Sequence, residues 1–243
     1  MRYFLAGLYV VLWGVATLPA LASPMRDKQD WAAVGRLEIT EGAFCTGTLI
    51  APDLVLTAAH CLFDPYTGAR IPAGQMRFLA GWDNGRAAAY RGISRAIAHP
   101  SYDFTRPAGA QRVRFDLALI ELRHPIPRQA IAPLETDIRP APGAAVGIMS
   151  YLREQADSPS FQDLCRVMAR QDGMLVLTCQ VDFGASGAPV FILDKNGVPR
   201  IVSVVSAKAR SSGKPVALAT DLDLPLEVLQ AMMREQRAGL VKR

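Results

Sequence analysis

The chain has 243 residues, 50% of them hydrophobic and 20% charged, which is ample for a sizeable core in one domain or two small ones. Its 27 Lys and Arg against 22 Asp and Glu leave a formal net charge of +5, scattered apart from Val241-Lys242-Arg243. The clustered basic face that nucleic-acid binding needs is missing, so no nucleic acid is expected as a partner.

Residues 1–22 read as a signal peptide rather than as part of the fold. Arg2 supplies a positive start, an apolar segment runs from about Leu5 to Leu18, and Ala20-Leu21-Ala22 ends it in the small-x-small form that signal peptidase accepts. Gly14 and Pro19 interrupt a run already shorter than the ~20 residues of a spanning helix. Cleavage after Ala22 is expected, with no stable membrane insertion of the mature chain.

From Trp31 onward short strands alternate with turn signals. Leu37–Thr40, Thr46–Ile50, Leu54–Thr57, Met76–Ala80 and Leu117–Leu122 are rich in branched or alternating apolar residues. Ala51-Pro52-Asp53, Thr67-Gly68 and Asp83-Asn84-Gly85 mark turns between them. Such spacing indicates a sandwich or a barrel. Over 125–143 fall Pro125, Pro127, Pro133, Pro140 and Pro142, five of the chain's 17 prolines, which breaks regular pairing and reads as a crossing segment between two halves.

A second set of strands is predicted at Ala145–Ser150, Cys165–Ala169, Met174–Cys179, Pro189–Leu193, Ile201–Val205 and Val216–Ala219, with Asp194-Lys195-Asn196-Gly197 as a hairpin turn. The pattern then changes. Asp223 can cap, Pro225 suits a first helical turn, and Leu226, Leu229 and Met233 share a face with Val228 and Met232. A terminal helix over 223–237, packed on the second half, is expected.

Four cysteines suit an exported protein, and three pairings are formally possible. Proximity in sequence favours Cys45 with Cys61 and Cys165 with Cys179. A zinc site would call for Cys-x-x-Cys or paired histidines, and neither spacing is present, so no metal is expected.

Three segments carry the chemistry. Leu56-Thr57-Ala58-Ala59-His60-Cys61 places a histidine at the end of an apolar run; Phe115-Asp116-Leu117-Ala118-Leu119 places an acid at the head of one; Gly184-Ala185-Ser186-Gly187-Ala188-Pro189 sets a serine among small residues. Hydrolysis by a serine needs an attacking hydroxyl, an imidazole to take its proton, and a carboxylate to fix the imidazole tautomer. His60, Asp116 and Ser186 fit those roles. The competing readings are a buried structural histidine, a strand-edge turn acid with Asp103 as its rival, and an ordinary glycine turn. His99 and His124 each precede a proline and read as loop residues.

These segments resemble those of trypsin-like (chymotrypsin-fold) serine peptidases of the bacterial secreted type, and the likeness extends over most of residues 31–236. The resemblance implies an all-β fold of two six-stranded antiparallel β-barrels, over 31–124 and 144–221, joined by a linker at 125–143 and followed by a C-terminal helix at 223–237. It places the site in the crevice between the barrels. His60 would be general base and then acid, Asp116 its orienting partner, Ser186 the nucleophile, and the amides of Gly184 and Ser186 an oxyanion hole. The implied activity is that of a secreted or periplasmic serine endopeptidase, cofactor-free, acting as a monomer on protein or peptide through an acyl-enzyme.

Two departures stand out. Ala185 occupies the place where animal members of the family carry an aspartate that pairs with a newly exposed terminal amine, and no Ile-Val-Gly-Gly start is visible. By offset from Ser186 the primary substrate pocket would have Gln180 at its base and Val205, Ser206 and Ala207 along one wall, all uncharged. This favours an uncharged substrate side chain there. A catalytically silent binding or regulatory protein on the same fold is the alternative. An α/β-hydrolase is disfavoured because its serine precedes acid and histidine, whereas here the serine comes last.

Overall fold

The computed structural model describes residues 31–239, save 41, 108, 138 and 139. The expected signal peptide at 1–22 and the basic run at 241–243 lie outside the described residues. Strands β1 (Val34–Thr40), β2 (Ala43–Ala51), β3 (Leu54–Thr57), β4 (Arg77–Ala80), β5 (Ala89–Ala98) and β6 (Ala118–Leu122) close a first barrel in the order β1-β2-β3-β6-β5-β4. The pairing of β4 with β1, Leu37 opposite Phe78, completes the circle. Closure removes the free edges that an open antiparallel sheet would expose.

Strand β5 is the one the sequence pattern misses. Only Ile93 and Ile97 of its ten residues are buried, set among Gly92, Arg91 and Arg95, so the strand lacks the branched-residue run that marks its neighbours. Its pairing with β4 and β6 defines it instead.

The second half contains β7 (Glu135–Thr136), β8 (Ala145–Leu152), β9 (Gln155–Gln171), β10 (Met174–Leu177), β11 (Pro189–Leu193), β12 (Pro199–Ser211) and β13 (Lys214–Asp221). Six of these form a ring, β8-β9-β10-β13-β12-β11, since β11 pairs with both β8 and β12. The fold is therefore two six-stranded antiparallel barrels with a C-terminal helix. The hairpin turn at 194–197 joins β11 to β12, where Gly197 N donates to Asp194 O at 2.9 Å. The proline-rich crossing segment is not wholly unpaired: β7 lies parallel on β12, with Glu135 opposite Arg200. Strand β9 begins ten residues before its predicted start at Cys165. Its polar first part reads as a loop in sequence, yet pairs with the end of β8, Ser150 opposite Ser160.

One apolar core fills the first barrel and runs across the seam to Met149, Tyr151, Phe191 and Val204; a second, of Val146, Leu175, Val190, Val202 and Ala217 among others, fills the second barrel. The terminal helix, Asp223–Arg237, has its expected bounds and an unexpected seat. Leu226, Leu229 and Met233 are buried in the first barrel's core with Leu119 and Leu122 of β6. Arg237 clamps the helix end to the same barrel, with Nε 2.6 Å from Glu121 and Nη2 2.7 Å from Asp53. The expectation that the helix packs on the second half is thus corrected: the acids and leucines that complement it belong to the first.

Two details of that helix also differ from expectation. Val228 is 38% exposed, because it lies about 100° round the helix from Leu229. Leu222 holds the N-cap position without a side-chain cap, and Asp223 falls in the first turn, where a carboxylate faces the positive end of the helix dipole. Among the described residues no helix is long and apolar enough to cross a membrane.

Candidate active site

His60 sits on a 3₁₀ turn, Ala59–Leu62, that leaves the end of β3. Its neighbours are small and fully buried, Ala58 and Ala59, which lets other backbone come close. Cys61 is joined to Cys45 of β2, so the turn is tied to the strand beside it. The second bridge joins Cys165 of β9 to Cys179 after β10. Cys45, His60 and Cys61 bring potential ligand atoms within 4.8 Å of one another. Their sulfurs are bonded to each other, however, and a metal binds thiolate rather than disulfide sulfur.

Asp116 lies between the short helix α1 (Ala110–Val113) and β6, and is 2% exposed. A buried carboxylate is costly unless donors surround it. Asp116 has three: His60 N reaches Oδ1 at 2.8 Å, His60 Nδ1 reaches Oδ2 at 2.7 Å, and the Ser206 hydroxyl also reaches Oδ2. An ionised carboxylate only accepts, so Nδ1 carries the proton and Nε2 is left as the acceptor of the ring. Burial, and then the negative charge of Asp116, push the nearby Tyr102 hydroxyl above its ordinary range. Thr220 of β13 donates to the Val113 carbonyl at 2.7 Å and reaches the Asp116 carbonyl at 3.2 Å. His60, Asp116 and Ser206 thus form one hydrogen-bonded line across the seam between the barrels.

Ser186 arrives from the second barrel on the loop between β10 and β11. Its carbonyl accepts from Thr46 N at 2.8 Å. At Gly187, with φ +79°, an added Cβ would lie 2.1 Å from Thr57 Oγ1, 2.3 Å from Thr46 O and 3.0 Å from Ala58 N. The serine loop therefore rests directly on the segment that leads to His60. Gly184, with φ +97°, approaches the Tyr151 carbonyl so closely that a Cβ would stand 2.5 Å from it. Thr46 organises this contact: its hydroxyl donates to Gly184 O at 2.9 Å and accepts from Tyr151 N at 3.0 Å, while Thr57 donates to Thr46 O at 2.8 Å.

Within the loop, Ala185 N donates to Asp182 O, Gly187 N to Val205 O and Ala188 N to Ala185 O. Among the described residues no group accepts from the amides of Gly184 or Ser186, and none bonds the Ser186 hydroxyl. Ala185 is fully buried. Asp182 is on the surface instead, where the Lys208 ammonium at 2.8 Å and the Phe183 amide hold its carboxyl below the usual range. Lys208 Nζ also lies 4.0 Å above the Phe183 ring.

The residues expected around the primary pocket are distributed differently. Gln180 is exposed, and the side-chain amide of Gln162 holds its main chain through both N and O. Val205 does not wall a pocket: it is 1% exposed in the core of the second barrel. Ser206 turns to Asp116. Ser206 and Ala207 both border an open space, a cavity of about 410 Å³ between α1 and β12 that reaches His60 and Asp116. The register of β12 against β13 shifts between Val205 and Ala207, and this irregularity parts the buried Val205 from the cavity-lining Ser206 and Ala207. Thr46 and Thr57 are the site residues whose roles sequence reasoning passes over, because those roles depend on hydrogen bonds that no local pattern encodes; Ser206, expected on the pocket wall, bonds Asp116 instead.

The Trypsin family model matches residues 24–224. Curated relatives include mouse Serine protease 23 (Mus musculus), 28% identical over 164 residues, which are 61% of this chain and 43% of that protein. Mouse Serine protease 56 is 26% identical over 203 residues, 82% of this chain and 31% of that protein. Mouse Kallikrein-1 is 29% identical over 138 residues, 51% of this chain and 49% of that protein. The chain thus spans less than half the length of these curated relatives. Among solved structures, a Glu endopeptidase in complex with MPD superposes with a TM-score of 0.67 at 20% identity, covering 83% of this chain and 90% of that one.

Proposed function

The chain belongs to the trypsin family, and from that premise we propose that it is an exported serine endopeptidase, of the bacterial secreted type, in which His60, Asp116 and Ser186 act as one unit. The observation that carries this reading is the imidazole held by its Nδ1 on a buried carboxylate, with Nε2 left for a proton from the crevice where the serine loop docks.

In the proposed cycle Ser186 Oγ attacks the carbonyl carbon of a peptide bond as its proton passes to His60 Nε2. The carbonyl oxygen gains negative charge and takes hydrogen bonds from the amides of Gly184 and Ser186. Asp116 stabilises the imidazolium without itself taking the proton. His60 then protonates the leaving amine, an acyl-enzyme forms on Ser186, and water attacks it by the same route in reverse. Ser206 serves as a donor to Asp116 on the side away from Nε2 and is not the nucleophile; its hydroxyl shares the carboxylate oxygen that Nδ1 uses.

The buried Ala185 offers no charge to a new amino terminus, so the reading needs no activating ion pair. The contacts of Thr46 and the turn from Asp182 to Ala185 shape the loop instead. Two disulfides suit a secreted or periplasmic location, and the substrate would be protein or peptide.

A fluorophosphonate probe tests the assignment. It should label Ser186 in folded protein and not in denatured protein, His60→Ala should nearly abolish labelling, and Ser206→Ala should retain it. A well-folded wild type that neither takes the probe nor cuts any peptide in a broad library would leave the silent binding protein standing.

A further inference from the structure

Resting on that reading, we propose that Arg112 selects substrates carrying an acidic side chain close to the cleaved bond on its acyl side. The cavity of about 410 Å³ beside His60 has apolar walls that include Val113, Ala207 and Leu218, and two cations, Arg112 and Lys208, at its margin. Their charges are not equally available. Lys208 already holds Asp182 at 2.8 Å. Arg112 has no carboxylate partner among the described residues: its Nε donates to the Tyr102 hydroxyl at 3.2 Å, its Nη1 to the Arg106 carbonyl at 3.4 Å, and its guanidinium lies 4.7 Å over the Phe104 ring.

Those contacts fix the guanidinium plane beside the cavity while leaving its charge unneutralised and Nη2 uncommitted. A fork held in this way loses little rotamer freedom when it takes a carboxylate. The one acid facing the cavity, Asp116, is occupied by its three donors and does not compete. The side of the bond rests on the resemblance, which sets the stretch around Ala207 beside the acyl part of the substrate, and Ala207 borders this cavity. A side chain held in the cavity is therefore taken to lie on the acyl side of the cleaved bond.

The test compares peptides in which each Glu is paired with Gln at a single position within a randomised background. Wild-type enzyme should cut the Glu members near the bond on the acyl side roughly tenfold faster in kcat/KM, the order expected of one charge-assisted hydrogen bond in a partly open site. Added salt should compress that ratio. In Arg112→Gln the Glu-to-Gln ratio should fall towards one, Arg112→Lys should restore part of it, and Lys208→Gln should lower it less. Binding of the same pairs to Ser186→Ala, followed by calorimetry, reads the preference without any turnover. A ratio near one in the wild type, or a ratio that survives in folded Arg112→Gln, would overturn the proposal while leaving the enzyme reading intact. Failure of fluorophosphonate labelling would strike the enzyme reading, and the binding arm would still decide the role of Arg112.

Discussion

In the first barrel, His60 is held through the Asp116 side chain: its main-chain N and its Nδ1 both bond that carboxylate, and Ser206 adds a third donor. In the second barrel, Ser186 is held by its main chain, through Thr46 and the close rest of Gly187 on Thr57 and Ala58. On the proposed reading the difference reflects two jobs. A base and its orienting acid must keep a fixed proton arrangement in a buried place, so their polar atoms need partners. A nucleophile must keep its hydroxyl uncommitted, so only the backbone around it can do the positioning. Stability and activity should therefore be coupled at the His60–Asp116 pair and separable at the Ser186 hydroxyl.

The largest effects break this contrast most directly. Ser186→Ala should lower kcat by roughly five to six orders of magnitude, with a melting midpoint close to wild type, because no described group loses a partner. Asp116→Asn should lower kcat by roughly 10⁴-fold through the wrong imidazole tautomer. It should also lower stability by about 1–3 kcal/mol, since an amide cannot satisfy three donors in a buried site. Paired kinetics and urea denaturation measure both. Equal stability losses in the two variants would show that the serine hydroxyl has a structural partner after all.

A smaller effect sharpens the second half of the comparison. In Gly187→Ala the methyl group has no room against Thr57 and Thr46, and the positive φ adds strain of about 1–3 kcal/mol. The loop must shift, and a displacement of about 1 Å is enough to cost on the order of 100-fold in rate. Fluorophosphonate labelling should slow accordingly while the disulfide map stays as it is. Labelling at the wild-type rate would show that the close contact does not position Ser186.

The smallest effect concerns acid. His99 is buried, stacked on Phe115 at 5.0 Å, with Nδ1 accepting from Ser101 N at 3.2 Å, and burial lowers its pKa. The unfolded chain therefore takes up this proton first as pH falls. The stability due to neutral His99 is complete above about pH 6.5 and declines below it. The urea midpoint of wild type should fall more steeply between about pH 7 and pH 5 than that of His99→Gln. Parallel slopes would mean that His99 stays uncharged in both states or is solvated in the fold.

Strands dense in branched residues, such as Leu54–Thr57 and Pro189–Leu193, are legible in the sequence to the residue, and so are the turn at 194–197 and the bounds of the helix. These are local signals. What escapes is whatever depends on a distant partner. Strand β5 is a strand because β4 and β6 flank it, and the helix is amphipathic in sequence without stating which barrel will cover it. His60 and Asp116 are marked by their motifs, whereas the turning of Ser206 towards the acid and of Val205 into the core depends on the phase of β12, which a small offset would reverse. Arg112 is inconspicuous in sequence because its significance is the lack of a carboxylate partner among the described residues, which only the fold reveals.

The helix at Asp223–Arg237 also bears on the order of events during synthesis. Leu226, Leu229 and Met233 complete the core of a barrel whose strands end at Leu122, more than a hundred residues earlier. A nascent chain that has made β1 to β6 still exposes the apolar patch beside Leu119 and Leu122, and loop closure over so long an interval slows its covering. The His60 side of the crevice thus reaches its final packing only after residue 233 has been made, later than the Ser186 loop itself. On the proposed reading, the crevice of the enzyme is completed only when the last helix has docked on the first barrel.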